Sequence, residues 1–279
     1  MMVRTSCTER VGCSLRRSLL LLPVLLTPLA AAPVVNGVVN GASFAAGGLA
    51  PGTIISIFGT GLARTTLEAS TLPLPTSLDG TSVTVSGQPL PLFFVSPGQI
   101  NAQLPFQLPN GPAQLTVRDS AGAIGSRSIT VTSASPGVFS TTADGRGEAI
   151  AVHADFKPVR RAVLEYARTD ETIILFCTGL GSVDTSVLSG TAAPSSPPAR
   201  TTVTPTILMD GRPAQVTFSG LAPGFVGLYQ INFVVPQGVG GDVVTAIRSG
   251  NATSNELTIN VAGTYTLGEN YSGLLAARA

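Results

Sequence analysis
The feature that most constrains this chain is the brevity of its regular segments. Ser82-Val83-Thr84-Val85-Ser86 alternates polar and apolar residues, and so do Gln114-Leu115-Thr116-Val117, Ser128-Ile129-Thr130-Val131 and Leu257-Thr258-Ile259-Asn260-Val261. A period of two places one set of side chains on a buried sheet face and the other toward water. Thr53-Ile54-Ile55-Ser56-Ile57-Phe58 is apolar almost throughout, as a strand covered on both faces would be. Gly, Pro, Asn and Asp interrupt these runs every 8–12 residues or so, roughly the turn spacing of a sandwich or barrel. With 31 Gly and 21 Pro among 279 residues, long helices have little room to form. Only 158–169 (PVRRAVLEYART) carries helical periodicity, enough for one short helix or a loop. The expected fold class is all-β.

Composition excludes several functions. Apolar residues are 44% and charged residues 11% of the chain, against roughly 25% charged in an ordinary globular protein. Such a chain can bury a core and is not disordered. A formal net charge of +1 argues against a nucleic-acid partner. One His and three Cys leave too few ligands for a multi-ligand zinc site or a disulfide framework. No cofactor, metal or catalytic residue is expected from the sequence.

Residues 1–32 read as a secretory signal peptide. Arg4, Arg10, Arg16 and Arg17 form a basic start, Ser18 to Pro28 an apolar stretch, and Leu29-Ala30-Ala31-Ala32 a small-residue cleavage zone. The apolar run is shorter than the roughly 20 residues of a membrane-spanning helix, so no transmembrane segment is expected once the signal is removed. Taking its net +3 from the +1 of the whole chain leaves −2, and Cys7 and Cys13 depart with it. The remaining 247 residues hold one thiol, Cys177, and must be stabilised by their core instead of by internal disulfides. The expected location is secreted, extracellular or at the cell surface.

The mature sequence repeats itself. Thr53-Ile-Ile-Ser-Ile-Phe-Gly-Thr-Gly-Leu62 returns as Thr172-Ile-Ile-Leu-Phe-Cys-Thr-Gly-Leu180. Pro97-Gly98-Gln99-Ile100-Asn101 returns as Pro223-Gly224 followed by Gln230-Ile231-Asn232, with 82–87 and 207–211 in equivalent places between. The expected organisation is two tandem immunoglobulin-like β-sandwich domains, 33–133 and 134–262, followed by a tail, 263–279. The second carries an inserted surface loop, 182–205, rich in Ser, Pro, Thr and Ala.

These residues resemble a family. Val39-Asn40-Gly-Ala-Ser-Phe44, Leu49-Ala-Pro-Gly-Thr-Ile-Ile-Ser-Ile-Phe-Gly-Thr-Gly-Leu-Ala63, Leu72-Pro-Leu-Pro-Thr-Ser-Leu-Asp-Gly80, Val95-Ser-Pro-Gly-Gln-Ile-Asn-Ala-Gln-Leu-Pro105, Cys177-Thr-Gly-Leu-Gly181 and the run from Gly220 to Asn232 follow, in order, the pattern of the Solibacter-type C-terminal domain of secreted acidobacterial proteins. The resemblance spans about residues 34–262 and departs from the pattern over 149–168. Its repeats are similar to TIG-type immunoglobulin-like domains, which implies an adhesive or spacer module without an established activity.

Each candidate site has a competing structural reading. His153 and Asp155, two apart on a strand, share a face and form a conceivable base and orienter. A surface or partly buried His is the expectation, because the chain has no Gly-x-Ser-x-Gly elbow. Asp144-Gly-Arg-Gly-Glu148 reads as a hairpin turn rather than a calcium loop, with Arg146 at its centre. Asp79-Gly80 and Asp210-Gly211 read as turns, and Cys177 as a buried hydrophobe of low reactivity. Arg160-Arg161 is too short for a nucleic-acid patch. Gln99, Asn101 and Gln103 form a polar stripe, repeated by Gln230 and Asn232. The favoured reading buries these amides against the neighbouring Pro-Gly loops; the alternative is a sugar-binding row.

The function expected is a secreted, non-catalytic structural or adhesive binding module for a cell-surface or extracellular glycan or protein. The alternatives are a hydrolase of extracellular polymers, which needs Glu148, His153 and Asp155 gathered in one cleft, and an anchoring or sorting module working beside another protein.

Overall fold
The computed structural model describes residues 32–263, so the signal-type segment and the tail lie outside the described residues except for Ala32 and Gly263. Twenty strands and a single 3-10 turn, Arg161–Val163, make up the regular structure of this part. The fold is all-β, as the alternation requires. The periodicity over 158–169 yields only that one turn, closed by Leu164 in the left-handed conformation at φ 58°.

Strand pairing runs in two separate sets. The first contains a sheet ordered Val34–Asn40, Ile54–Thr60, Gln99–Gln103, Leu92–Val95 and Leu67–Glu68. Facing it is a sheet in which Ile124–Val131, Gly111–Arg118 and Thr81–Val85 lie side by side. Leu49, Ile55, Ile57, Val83, Val85, Leu92, Ile100, Leu104, Leu115 and Val117, all fully buried, fill the space between them. The second set centres on Thr172–Thr178, Tyr229–Val234 and Arg212–Leu221, continuing through Thr206–Met209 to Gly241–Ser249. Its core includes Ile173, Leu175, Cys177, Tyr229, Ile231, Phe233, Val243 and Ile247.

The two sets differ in one instructive place. Arg212–Leu221 is one continuous strand that pairs with Thr206–Met209 through its first residues and with Tyr229–Val234 through the rest, so it ties the two layers together. In the first set the same path is cut into Gln88–Pro89 and Leu92–Val95. Pro91 stands at the break, where a residue without an N–H cannot continue a ladder. The hairpin turns follow their sequence signals, with Asp79 and Gly80 at φ 47° and 74° and Asp210 and Gly211 at φ 47° and 75°. Two consecutive positive φ values are the geometry of a type I′ turn.

The sandwiches meet through a buried polar seam. The Ile54 N–H donates to Thr178 Oγ1 at 3.0 Å, and that hydroxyl donates to the Gly227 carbonyl at 3.0 Å. Gly190 N–H donates to Gln103 Oε1 at 2.6 Å, and Asn40 Nδ2 donates to the Ser135 carbonyl at 2.9 Å. Phe106 reaches across to pack against the second core. Glycines permit the approach: a Cβ on Gly137 would stand 2.3 Å from Asn40 Oδ1, and one on Gly190 2.9 Å from the Pro91 ring.

Part of this seam comes from the segment expected to be a surface loop. Within 182–205, Val187, Ala193 and Ala199 are buried in the second core. Ser189 accepts from the Phe106 N–H at 3.3 Å, and the Gly190 carbonyl accepts from the Leu74 N–H at 2.8 Å. The insertion is a clasp on the first sandwich. Its Ser and Pro content signals irregular backbone and says nothing about burial.

Candidate functional site
The amide stripes sort into two kinds. Gln103 is 1% exposed and belongs to the seam between the sandwiches, its Nε2 buried without a partner. Gln99 and Asn101 are half-buried on the outer face of their sheet, and Gln230 and Asn232 hold the same station in the second sandwich. They do not tie down the Pro-Gly loops. The first loop is held by backbone, Gly59 N–H to the Gly98 carbonyl and Leu62 N–H to the Pro97 carbonyl, both at 3.1 Å. The amides bond to one another instead: Gln99 Nε2 donates to Asn101 Oδ1 at 2.8 Å, and Gln230 Nε2 donates to Asn232 Oδ1 at 3.0 Å.

Register places aromatic rings beside these amides in both copies. Phe58 pairs with Gln99, and Phe94 with Asn101, next to a bulge between Leu92 and Phe94. Phe176 pairs with Gln230, and Phe218 with Asn232, next to a bulge between Val216 and Phe218. Directly paired residues of antiparallel strands project to the same side, so each sandwich presents two Phe rings around one Gln–Asn amide pair. All four rings are half-buried on positions where a sandwich ordinarily shows polar side chains to water. The margins differ. Phe44 approaches Phe58 with ring centroids 6.3 Å apart, whereas the Arg200 guanidinium lies 4.9 Å above the Phe218 ring.

The first face offers flat apolar surface and fixed amide dipoles, whereas in the second the Arg200 guanidinium covers one side of the Phe218 ring. Asn101 Nδ2 and Gln99 Oε1, and likewise Asn232 Nδ2 and Gln230 Oε1, have no hydrogen-bond partner among the described residues. One donor and one acceptor are therefore open beside each ring pair.

His153 lies elsewhere, in a hollow of about 580 Å³ with Asp155, Lys157, Glu165, Tyr166, Arg168, Asp170 and Glu171 among its lining. It does not pair with Asp155. Its Nδ1 lies 2.6 Å from Glu171 Oε1, while Glu171 Oε2 accepts from the Arg168 N–H at 2.9 Å. Asp155 sits in the turn beyond the strand, bonded to Lys157 Nζ at 2.9 Å, and that hydrogen bond holds its carboxyl below the ordinary range. Glu148 is outside the hollow, with Oε1 accepting from Asn260 Nδ2 at 2.6 Å and from the Arg161 N–H at 2.8 Å. The three residues a hydrolase needed are not gathered. Glu171 was missed because a carboxylate 18 residues away meets His153 only through strand pairing.

The remaining candidates take structural places. Asp144 closes its turn by accepting from the Thr142 hydroxyl at 2.6 Å and the Arg146 N–H at 3.0 Å. Cys177 is fully buried, and desolvation pushes its thiol pKa far up. Arg160 stands 3.7 Å from Glu148, and Arg161 bonds Asp242 at 2.9 Å, so this basic pair is divided between two carboxylates.

Residues 38–133 match the IPT/TIG domain model. No curated protein matches the chain. Among solved structures, it is similar to the surface glycan-binding protein SGBP-B of the Bacteroides ovatus mixed-linkage glucan utilization locus, with 14% identity over 85% of this chain and 48% of that one, at a TM-score of 0.34. It is similar also to PbSGBP-B from Prevotella bryantii, with 12% identity over 81% and 41% and a TM-score of 0.27. A third is the S-layer protein SbsC, domains 5-6, with 11% identity over 83% and 99% and a TM-score of 0.28. The chain spans about half the length of the first of these, 48%. Among the described residues no helix is long and apolar enough to cross a membrane.

Proposed function
We propose that this is a secreted, non-catalytic binding module of two immunoglobulin-like domains, 33–133 and 134–262, and that it takes a neutral extracellular glycan. The observation that carries this reading is the duplicated outer face, Phe58, Phe94, Gln99 and Asn101 in one sandwich and Phe176, Phe218, Gln230 and Asn232 in the other. A sugar ring has apolar C–H faces and a rim of hydroxyls that both donate and accept. Half-exposed Phe rings suit the first, and an open amide donor and acceptor suit the second. The Gln–Asn pair of each face is uncharged, and the Arg200 guanidinium beside the second pair is already stacked on Phe218. The resemblance to the Solibacter-type domain belongs to this reading, as does export through 1–32.

The test is an array of soluble neutral polysaccharides probed with the mature chain, beside a variant carrying Asn101→Ala and Asn232→Ala. Binding by the parent and a loss of at least tenfold in the variant, with the polysaccharide's length unchanged on incubation, is the expected result. Equal binding by both proteins, or shortening of the polysaccharide, contradicts the proposal. For export, mass spectrometry of the secreted protein is expected to find a start between Ala32 and Val34; an intact Met1 in the soluble fraction contradicts it.

A further inference from the structure
The outer faces of the two sandwiches meet end to end, and each is covered at that end by the other. In the first, Ile54 pairs with Gln103, and both project to the same side as Phe58 and Asn101. Both lie against the second sandwich. A Cβ on Gly227 would stand 3.0 Å from Ile54 Cγ1 and 3.1 Å from Gln103 Nε2, and Gly190 N–H donates to Gln103 Oε1 at 2.6 Å. In the second, Thr178 projects to the same side as Phe176. Thr178 is fully buried, its hydroxyl oxygen accepting from the Ile54 N–H at 3.0 Å. Two faces whose adjoining ends cover one another open on the same side of the joint. Gln99–Gln103 ends at this joint and Tyr229–Val234 begins there, so the amide row of one strand leads toward that of the other.

The joint itself presents an aromatic ring. In the first copy Pro97-Gly98 runs directly into Gln99, whereas five residues, 225–229, separate Pro223-Gly224 from Gln230. Four of the five serve the fold. Val226 is buried, Gly227 makes the close approach, the Leu228 carbonyl accepts from the Ala222 N–H at 2.9 Å, and Tyr229 fills the second core. The Phe225 side chain does none of this and is 57% exposed. Its backbone is fixed to the clasp: the Phe225 carbonyl accepts from the Ala193 N–H, and Gly224 N–H donates to the Ala193 carbonyl, both at 2.9 Å. Ala193 lies three residues beyond Gly190, which covers Gln103. The ring therefore stands at the joint, with Gln99 and Asn101 on one side and Gln230 and Asn232 on the other.

We propose that Phe225 is a further binding residue: the two faces and this ring form one track, and its occupant is a single linear polysaccharide chain laid along the strands and across the joint. This rests on the reading of the two faces as glycan sites. The exposed ring offers its flat side to the C–H face of a sugar that lies between the faces and touches neither. Asn101 is two residues from the joint at Gln103, and Asn232 five residues from it at Gly227. With the contact between them, the two amide pairs are at most about 35 Å apart. A chain longer than this reaches both pairs, its second contact favoured by the first, and crosses Phe225 on the way. A short oligosaccharide occupies one face and makes no use of Phe225.

Calorimetric titration tests this with two lengths of the neutral polysaccharide selected on the array, a short oligosaccharide and a linear chain just longer than about 35 Å. The mature parent is expected to bind the long chain one to one and at least tenfold more tightly than the short one. Phe225→Ala is expected to weaken long-chain binding at least fivefold while leaving short-oligosaccharide affinity and the unfolding temperature unchanged. Phe225→Tyr is expected to restore the long-chain affinity. A long-chain affinity untouched by Phe225→Ala, an equal loss at both lengths, or two long chains bound per molecule overturns the proposal and leaves the faces as separate sites. Failure of the parent to bind either length contradicts the faces themselves and overturns this proposal with them.

Discussion
At the scale of single residues, the most informative contrast is between Asn101 and Gln103. Both lie in one alternating run, and the alternation correctly puts them on one face. What covers that face is decided by a chain segment almost a hundred residues away, so the sequence pattern alone could not separate them. Gln103 is sealed in by Gly190, whereas Asn101 looks outward. Gln103→Ala is therefore expected to cost about 1–3 kcal/mol, because the buried Gly190 N–H loses its acceptor. Asn101→Ala leaves the buried Ser56 hydroxyl without its acceptor at 3.0 Å, but that hydroxyl can turn to another acceptor, so the loss should be smaller than for Gln103→Ala. Urea unfolding of the two variants checks the ordering, and equal losses would show that the outer amides are as structural as the inner one. Cys177 was legible because an unbroken apolar run leaves a thiol no polar surroundings. Its labelling is expected to be slow in the native chain and fast in denaturant, and rapid native labelling would place the strand wrongly.

At the scale of elements, turns were readable and insertions were not. Asp210-Gly211 announces its geometry because few residues accept two positive φ angles in succession. The segment 182–205 carries no comparable signal, and its clasp on Leu74 and Phe106 depends on surfaces the sequence does not display. Gly190→Ala tests the clasp. Its φ of 81° and the 2.9 Å approach to Pro91 leave no unstrained place for a Cβ, and the left-handed backbone alone costs roughly 1–2 kcal/mol. A lower unfolding midpoint and faster proteolysis across 132–136 are expected; unchanged values would mean that the clasp contributes nothing. The turn at Asp144 has a pH signature. The Thr142 hydroxyl first, then the Arg146 N–H, hold its carboxyl below the ordinary 3.8. A carboxyl depressed in the folded state adds stability above its unfolded pKa, and the contribution is lost as pH falls through the folded value. Asp144→Asn should therefore flatten the acid limb of the stability curve below about pH 4 while leaving its slope near neutrality unchanged. An unaltered acid limb would show that the turn does not use this charge.

At the scale of the molecule, the repetition in sequence foretold two similar bodies, and the structure adds how they are joined. A seam of Thr178, Gln103, Asn40 and close-approaching glycines fixes one sandwich on the other. Two copies of one Phe and amide face are thereby carried at a set spacing. A polymeric ligand that engages both gains from the second contact without a new translational cost. That duplication was half visible. The Gln-Ile-Asn triplets stand out in the sequence, but Phe94 and Phe218 join them only through a bulge that shifts each ring opposite its Asn. The central claim is that each face is a separate binding site, and calorimetric titration with a short oligosaccharide of the glycan found on the array measures it directly. The parent chain should bind two equivalents. Asn101→Ala and Asn232→Ala should each bind one, and the double variant none within the measurable range. A single equivalent in the parent, or a stoichiometry that neither substitution changes, would contradict the account.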